Sequence, residues 1–248
     1  MYDGPWQRQK QLQKKYRMEE VPDIDELVRI IIRINIGKDN PQLRTKQARA
    51  LFALYYLTGC RASEIVKCPY LRYKRYRKTK TLNDKGERIT AYIIDDNGER
   101  LIDEGKTPHE FLGLRKSDIK QETVDGKPCL YIRTENRKHA DRRTKRQPIP
   151  IEFEEEIVVF INDYLKMLED EDFLFEFGVK RSTQIINEAT GFNIHFIRHI
   201  RATHLVTKYD FNEQMLIKFM GWTDARPDKN YMELRSTDLF RQFYKNKQ

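Results

Sequence analysis

Cysteine is scarce in this chain: three residues in 248, at Cys60, Cys68 and Cys129, none of them in a CxxC pair. An odd and scattered set excludes a disulfide framework and a CxxC-type zinc or redox motif, and it suggests a reducing compartment. Long apolar runs are missing too. No stretch reaches the length that a bilayer-spanning helix needs. The opening residues, MYDGPWQRQKQLQKKYRMEE, have no apolar centre of the kind a signal peptide carries. There is no internal repeat, no low-complexity tract, and no paired-carboxylate constellation of the kind that a metal-dependent nuclease uses.

What is present is enough apolar material for a core and a surplus of positive charge. Hydrophobic residues make up 39% and aromatics 11%, with 13 Tyr and 13 Phe, so wholesale disorder is excluded. Charged residues reach 34% and the formal net charge is +9, a balance that suits a polyanionic partner. The charge is also concentrated. Six of the nine residues at 72–80 are basic, and seven basic residues fall within 133–146.

Periodicity places helices at both ends of the chain and strands in the middle. VPDIDELVRIIIRI reads as a helix with Asp23 as N-cap and Glu26 three residues on. TKQARALFALYYLTG is a strong helix stopped by Gly59, and ASEIVKC follows as a short second one. ERITAYIIDDNGERLI suggests a hairpin with Asn97-Gly98 in its turn. FLGLRKSDIKQET, VDGKPCLYIRTE and RRTKRQPIPI suggest short strands; Asp125-Gly126 marks a turn, and Pro148 and Pro150 mark an edge or a strand end. From Phe153 the pattern is helical again, through STQIINEATG, HFIRHIRATHL, NEQMLIKFMG, DKNYMELR and TDLFRQFYKNK. The fold class is α+β: mostly helical with a small antiparallel sheet.

The run HFIRHIRATHL, residues 195–205, carries the sharpest chemical question. Positions three and four apart share a helix face, so His195, Arg198 and His199 are neighbours. A solvated basic face would explain them, with His199 structural and Arg201 and His204 at the surface or core edge. A metal site would use the HxxxH spacing of His195 and His199. It lacks the acidic residue of an HExxH motif, and Arg198 among the ligands would repel a cation. A phosphate site needs a second arginine from another element, because guanidinium forks match phosphate geometry.

TGCRASEI at 58–65 contains such an arginine, and here the chain resembles the tyrosine recombinases of the phage-integrase family. TGCRASEI is similar to the family's first arginine box, HFIRHIRATHL to its His-x-x-Arg box, and FMGWTDARPDKNYMEL to its terminal tyrosine box. The three occur in the family's order, and Trp222 and Tyr231 keep its nine-residue offset. The resemblance spans roughly residues 22–245, the family's catalytic domain. It implies Arg61 and Arg198 as phosphate clamps, with Glu64 supporting Arg61. His195 is implied as a general acid/base and Tyr231 as the nucleophile. Trp222 stands where many relatives have histidine; its indole N–H can donate a hydrogen bond but cannot shuttle protons. The family also uses a lysine on a turn between strands, here matched to Lys138, with Lys145 as the runner-up.

The implied activity is site-specific DNA cleavage and rejoining through a 3′-phosphotyrosyl intermediate, with no metal and no cofactor. The implied partner is double-stranded DNA in the cytoplasm, gripped by a homo-tetramer whose subunits can be monomers when free in solution, and not by a membrane-bound species. Arg72, Lys74, Arg75, Arg77 and Lys78 from the first basic run, and Arg137, Arg142, Arg143 and Lys145 from the second, are the candidates for contact with its backbone. Tyr70, Tyr73 and Tyr76 interleave with the first run, as stacking residues do. Two departures stand out. Family members run directly from SEI to a segment like LGLRKSDI, whereas about forty residues, 69–110, intervene here as a basic arm and hairpin. Residues 1–20 form a basic arm too short to be the family's N-terminal helical domain, leaving 21–248 as the catalytic domain. A type IB topoisomerase-like relaxing enzyme and a non-catalytic DNA-binding module are the alternatives.

Overall fold

The computed structural model describes residues 21–36, 40–68, 74–76, 78–84, 86–98, 102–104, 111–135, 144–222 and 236–245. The chain divides into two compact units: Pro69–Phe111, and the remainder on either side of it. The larger unit is mostly helical with one three-stranded antiparallel sheet, an α+β arrangement.

In the larger unit, α1 (Ile24–Arg33) starts at Asp23, whose carboxylate accepts the Glu26 N–H at 2.7 Å. The central helix is α2 (Pro41–Thr58). Proline opens it where its missing N–H is not needed, and Gly59 closes it at φ 57°, a left-handed conformation that glycine adopts without strain. From Ala50 to Thr58 every side chain of α2 is buried, because α4 (Ile151–Leu165), α5 (Val179–Thr190) and α6 (Ile194–Thr207) pack around it. A short helix α3 (Ala62–Ile65) follows the Gly59 turn. Asn193 caps α6, and Asn212 caps α7 (Glu213–Met220), each through its side-chain oxygen.

The sheet of this unit has the order β5 (Ile119–Val124), β6 (Lys127–Glu135), β7 (Thr144–Pro150). Asp125 (φ 50°) and Gly126 (φ 76°) link β5 to β6 with two positive φ angles, the conformation of a tight hairpin turn. Pro148 and Pro150 sit on β7, an edge strand, where a missing N–H is tolerated. Helix α8 (Ser236–Tyr244) lies against β7, and Phe240 fills a small cluster with Val124, Cys129 and Tyr131.

The smaller unit corrects the hairpin expected from the sequence. β2 (Lys78–Leu82) pairs with β3 (Arg88–Tyr92), and β1 (Lys74–Tyr76) pairs with β4 (Ile102–Glu104). The tip lies at Asn83 to Glu87, not at Asn97-Gly98. The Asn83 side chain closes it, accepting the Glu87 N–H at 2.8 Å and donating to the Glu87 carboxylate at 2.9 Å. Asp95 to Gly98 form a separate turn on the return strand, with the Gly98 N–H on the Asp95 carbonyl at 3.0 Å. The Asn-Gly pair does make a turn, but an Asx-type turn can bulge one strand as readily as it can join two.

Candidate functional site

A fully buried carboxylate organises a group of cations drawn from separate elements. Glu64, on α3, accepts the Arg61 guanidinium on Oε1 at 3.1 Å, and the Arg61 backbone N–H and the Lys145 ammonium on Oε2 at 3.1 and 2.9 Å. Arg61 leads into α3 and Lys145 lies on β7. Lys145 is nearly buried, whereas 32% of the Arg61 side chain remains exposed. Burial alone would raise the Glu64 pKa. The Lys145 charge and its hydrogen bond, the Arg61 N–H and the Arg198 charge outweigh that burial and hold the carboxyl below its ordinary range.

Arg198 comes to the same place from α6. One Nη donates to the Gly59 carbonyl and the other to the Met220 carbonyl at 2.9 Å, so the guanidinium bridges the ends of α2 and α7. Its pKa is lowered, first by burial and then by the nearby Arg61 charge. One guanidinium and an ammonium thus bind the carboxylate directly and a second guanidinium adds its charge nearby, and the excess positive charge suits an anion such as a phosphodiester.

Gly221 and Trp222 close the edge of the cluster. Gly221 ends α7 at φ 64°, and a Cβ there would stand 2.5 Å from Lys145 Cδ and 3.0 Å from its Nζ. The lysine stem therefore runs directly over a position that only glycine leaves open. Trp222 is 39% exposed, with its ring centre 5.7 Å from Arg198 Cζ. His195 is exposed on the first turn of α6, three residues before Arg198.

Of the residues singled out from the sequence, Arg61, Glu64, Arg198 and Trp222 come together, joined by the runner-up Lys145. Lys138 and Tyr231 lie outside the described residues, as do Arg72, Arg77, Arg137, Arg142 and Arg143. Lys74 and Arg75 fall on β1 and Lys78 on β2.

Arg201 and His204 are not at the surface or core edge. Arg201 is fully buried and pairs with the fully buried Glu154 at 2.5 Å, ringed by Tyr56, Tyr209, Phe219 and Phe243. His204 is buried, with Nδ1 2.8 Å from the Tyr56 hydroxyl. The helix face that looked basic in sequence is thus split, with Arg198 turned to the cluster and Arg201 to the core.

Two members of the cluster were missed. Cys60 Sγ lies 3.6 Å from Lys145 Nζ, and Gln147 lies behind both, 1% exposed. Gln147 could have been found: two residues after Lys145 on a strand, it shares that side chain's face.

Among the described residues, no group of His, Cys, Asp and Glu could hold a metal ion. None of their helices is long and apolar enough to cross a membrane. No protein-family profile matches the chain, and no curated protein matches it either. Among solved structures, the chain is similar to the XerH site-specific recombinase in its pre-cleavage complex with the difH substrate. The sequence identity is 16% and the TM-score 0.41, over 81% of this chain and 46% of that one. The chain thus spans about half the length of the recombinase it matches.

Proposed function

We propose that the chain is a tyrosine recombinase catalytic domain that cleaves and rejoins DNA through a covalent tyrosyl intermediate. The observation that carries the reading is the gathering of three cations at one place: Arg61 and Lys145 on the buried Glu64 carboxylate, and Arg198 beside them on the Gly59 and Met220 carbonyls. These residues are far apart in sequence, and two of them stand in the boxes that resemble the family's.

In this reading Arg61 and Arg198 neutralise the non-bridging oxygens of a DNA phosphodiester, and the Trp222 indole N–H donates to one of them. The Tyr231 hydroxyl attacks phosphorus, a P–O bond to the tyrosine forms, and the bond to the deoxyribose 5′-oxygen breaks. The phenolic proton passes to His195. Lys145 supplies the proton that the departing 5′-oxygen needs, the role that the sequence assigned first to Lys138. Lys145 is the stronger choice because its ammonium already stands in the cluster. The product is a 3′-phosphotyrosyl ester and a free 5′-hydroxyl. Attack by a 5′-hydroxyl from another strand reverses the same steps and reseals the DNA without an external energy source. The basic residues at 72–80 and 133–146 track the DNA backbone, and a tetramer holds two duplexes.

Covalent trapping tests the proposal. The full chain is mixed with nicked suicide duplexes made from a pool of DNA of its source element. An adduct that resists SDS, maps to Tyr231 by mass spectrometry and disappears in Tyr231→Phe is the expected result. Preference for one sequence separates a recombinase from a relaxing topoisomerase. Absence of an adduct on DNA that the protein binds would overturn the catalytic reading.

A further inference from the structure

The buried amide of Gln147 has no role in the chemistry above, yet every polar atom it owns is engaged. Its Nε2 donates to the Thr58 carbonyl at 2.5 Å and to the Phe219 carbonyl at 3.0 Å. Its Oε1 faces Cys60 Sγ and Thr134 Oγ1, each at 3.4 Å. Thr58 is the last residue of α2 and Phe219 the penultimate residue of α7. Both carbonyls belong to the last turn of a helix, where no further backbone N–H of the helix is available to them.

The next carbonyl on each helix, Gly59 and Met220, is taken by Arg198. The two helix ends are therefore joined by two parallel rungs, one an amide and the other a guanidinium. Beyond the rungs each chain turns through a left-handed glycine, Gly59 or Gly221, and then reaches a site residue. Arg61 comes three residues after Thr58, and Trp222 three residues after Phe219. Gln147 is itself fixed to Lys145 on β7, with only Arg146 between them.

We infer that Gln147 is a positioning residue of the cleavage site, setting the lysine strand against the arginine and tryptophan turns. Without the amide, β7 is free to shift relative to α2 and α7. Lys145 then leaves its place between Glu64 and Gly221, while the DNA-tracking charges outside β7, at 72–80 and 133–143, are untouched. This inference rests on the reading of Lys145 as proton donor to the leaving 5′-oxygen.

The test uses the full chain and nicked duplexes carrying the sequence mapped by covalent trapping, in two forms. One has the natural 5′-oxygen at the cleaved bond. The other has sulfur in its place, which leaves as a thiolate and needs no proton. On the oxygen substrate Gln147→Met is expected to slow single-turnover cleavage by about 10²-fold, the scale of a catalytic group displaced by about 1 Å. DNA affinity stays within about twofold of wild type, the result expected when only transition-state interactions are lost. On the sulfur substrate its rate returns to near wild type. Thr134→Val, which removes only one neighbour of the amide, shows a smaller defect with the same recovery and provides the reading should Gln147→Met fail to fold. Lys145→Ala is the control. If it recovers on sulfur and the Gln147 and Thr134 variants do not, the positioning role is overturned while the lysine reading stands. If Lys145→Ala does not recover, the lysine reading fails and the inference falls with it.

Discussion

Acid should remove stability from this fold through one buried side chain well before the carboxylates titrate. Burial, followed by the charge of Arg201, pushes the His204 pKa from 6.5 down to about 4. The folded state therefore keeps His204 neutral over a range in which the unfolded chain binds a proton. A group whose folded pKa is depressed contributes its stability above the unfolded value and loses it as pH falls through the folded one. The window is thus pH 6.5 to about 4. The gap corresponds to about 3 kcal/mol, a large share of the ~5–15 kcal/mol that holds a typical domain together. Glu64, whose carboxyl is also depressed, acts in a lower window, below its ordinary 4.5. The assay is urea unfolding at a series of pH values, with His204→Asn beside wild type. Asparagine retains a polar group near Nδ1 to meet the Tyr56 hydroxyl but cannot take a proton in this range. The wild-type curve should fall by about 3 kcal/mol relative to the variant between pH 6.5 and 4. Parallel curves across the window would refute the reasoning.

Four further outcomes follow from the core, the site and the β5–β6 turn. Glu154→Gln leaves Arg201 buried without a counter-charge and should cost about 3–5 kcal/mol in urea unfolding. Glu154→Leu with Arg201→Met should recover wild-type stability or exceed it, because the native pair leaves Glu154 Oε2 and Arg201 Nε and Nη2 without hydrogen bonds. Gly221→Ala drives a Cβ against the Lys145 stem and should reduce covalent cleavage by at least about tenfold with DNA binding retained. Gly126→Ala, at a similar φ of 76° but with nothing within 4 Å, should cost only the left-handed backbone strain of about 1–2 kcal/mol and leave cleavage intact.

Local signals made the helices legible. Asp23 caps, Gly59 terminates and the apolar spacing sets length, while the Asn193 and Asn212 caps and the Gly221 stop emerge in the structure. The short hairpin at Asp125-Gly126 was legible for the same reason, since both residues accept positive φ. The smaller unit was not: β2 and β3 are joined by only a few residues, but Asn83-Asp84 and Asn97-Gly98 both read as turn signals and nothing local decides which is the tip. Arg198 and Arg201 expose another limit. They are three apart on one helix and chemically identical, and only the placement of Glu154 on α4 decides which of them enters the core. The ranking of the two lysines has a related origin: Lys138 lies outside the described residues, while Lys145 stands in the cluster. The tip of a turn looks like the natural place for a reaching side chain, whereas a strand residue that lies over a glycine can reach just as far while being better held.

The cluster also reverses a familiar arrangement. Anions commonly bind at helix N-termini, where free N–H groups and the helix dipole favour negative charge. Here the C-termini of α2 and α7 both end at the site, and the partial negative charge of their carbonyls would repel a phosphate. Four of those carbonyls, at Thr58, Gly59, Phe219 and Met220, are taken up by Gln147 and Arg198. Only then can Arg61 and Lys145 present net positive charge at the same place. Arg198 accordingly has two tasks, and donors spent on Gly59 and Met220 are not available to a ligand. That division explains why a second guanidinium and an ammonium are needed beside it, and why Arg61 is the more exposed of the two arginines.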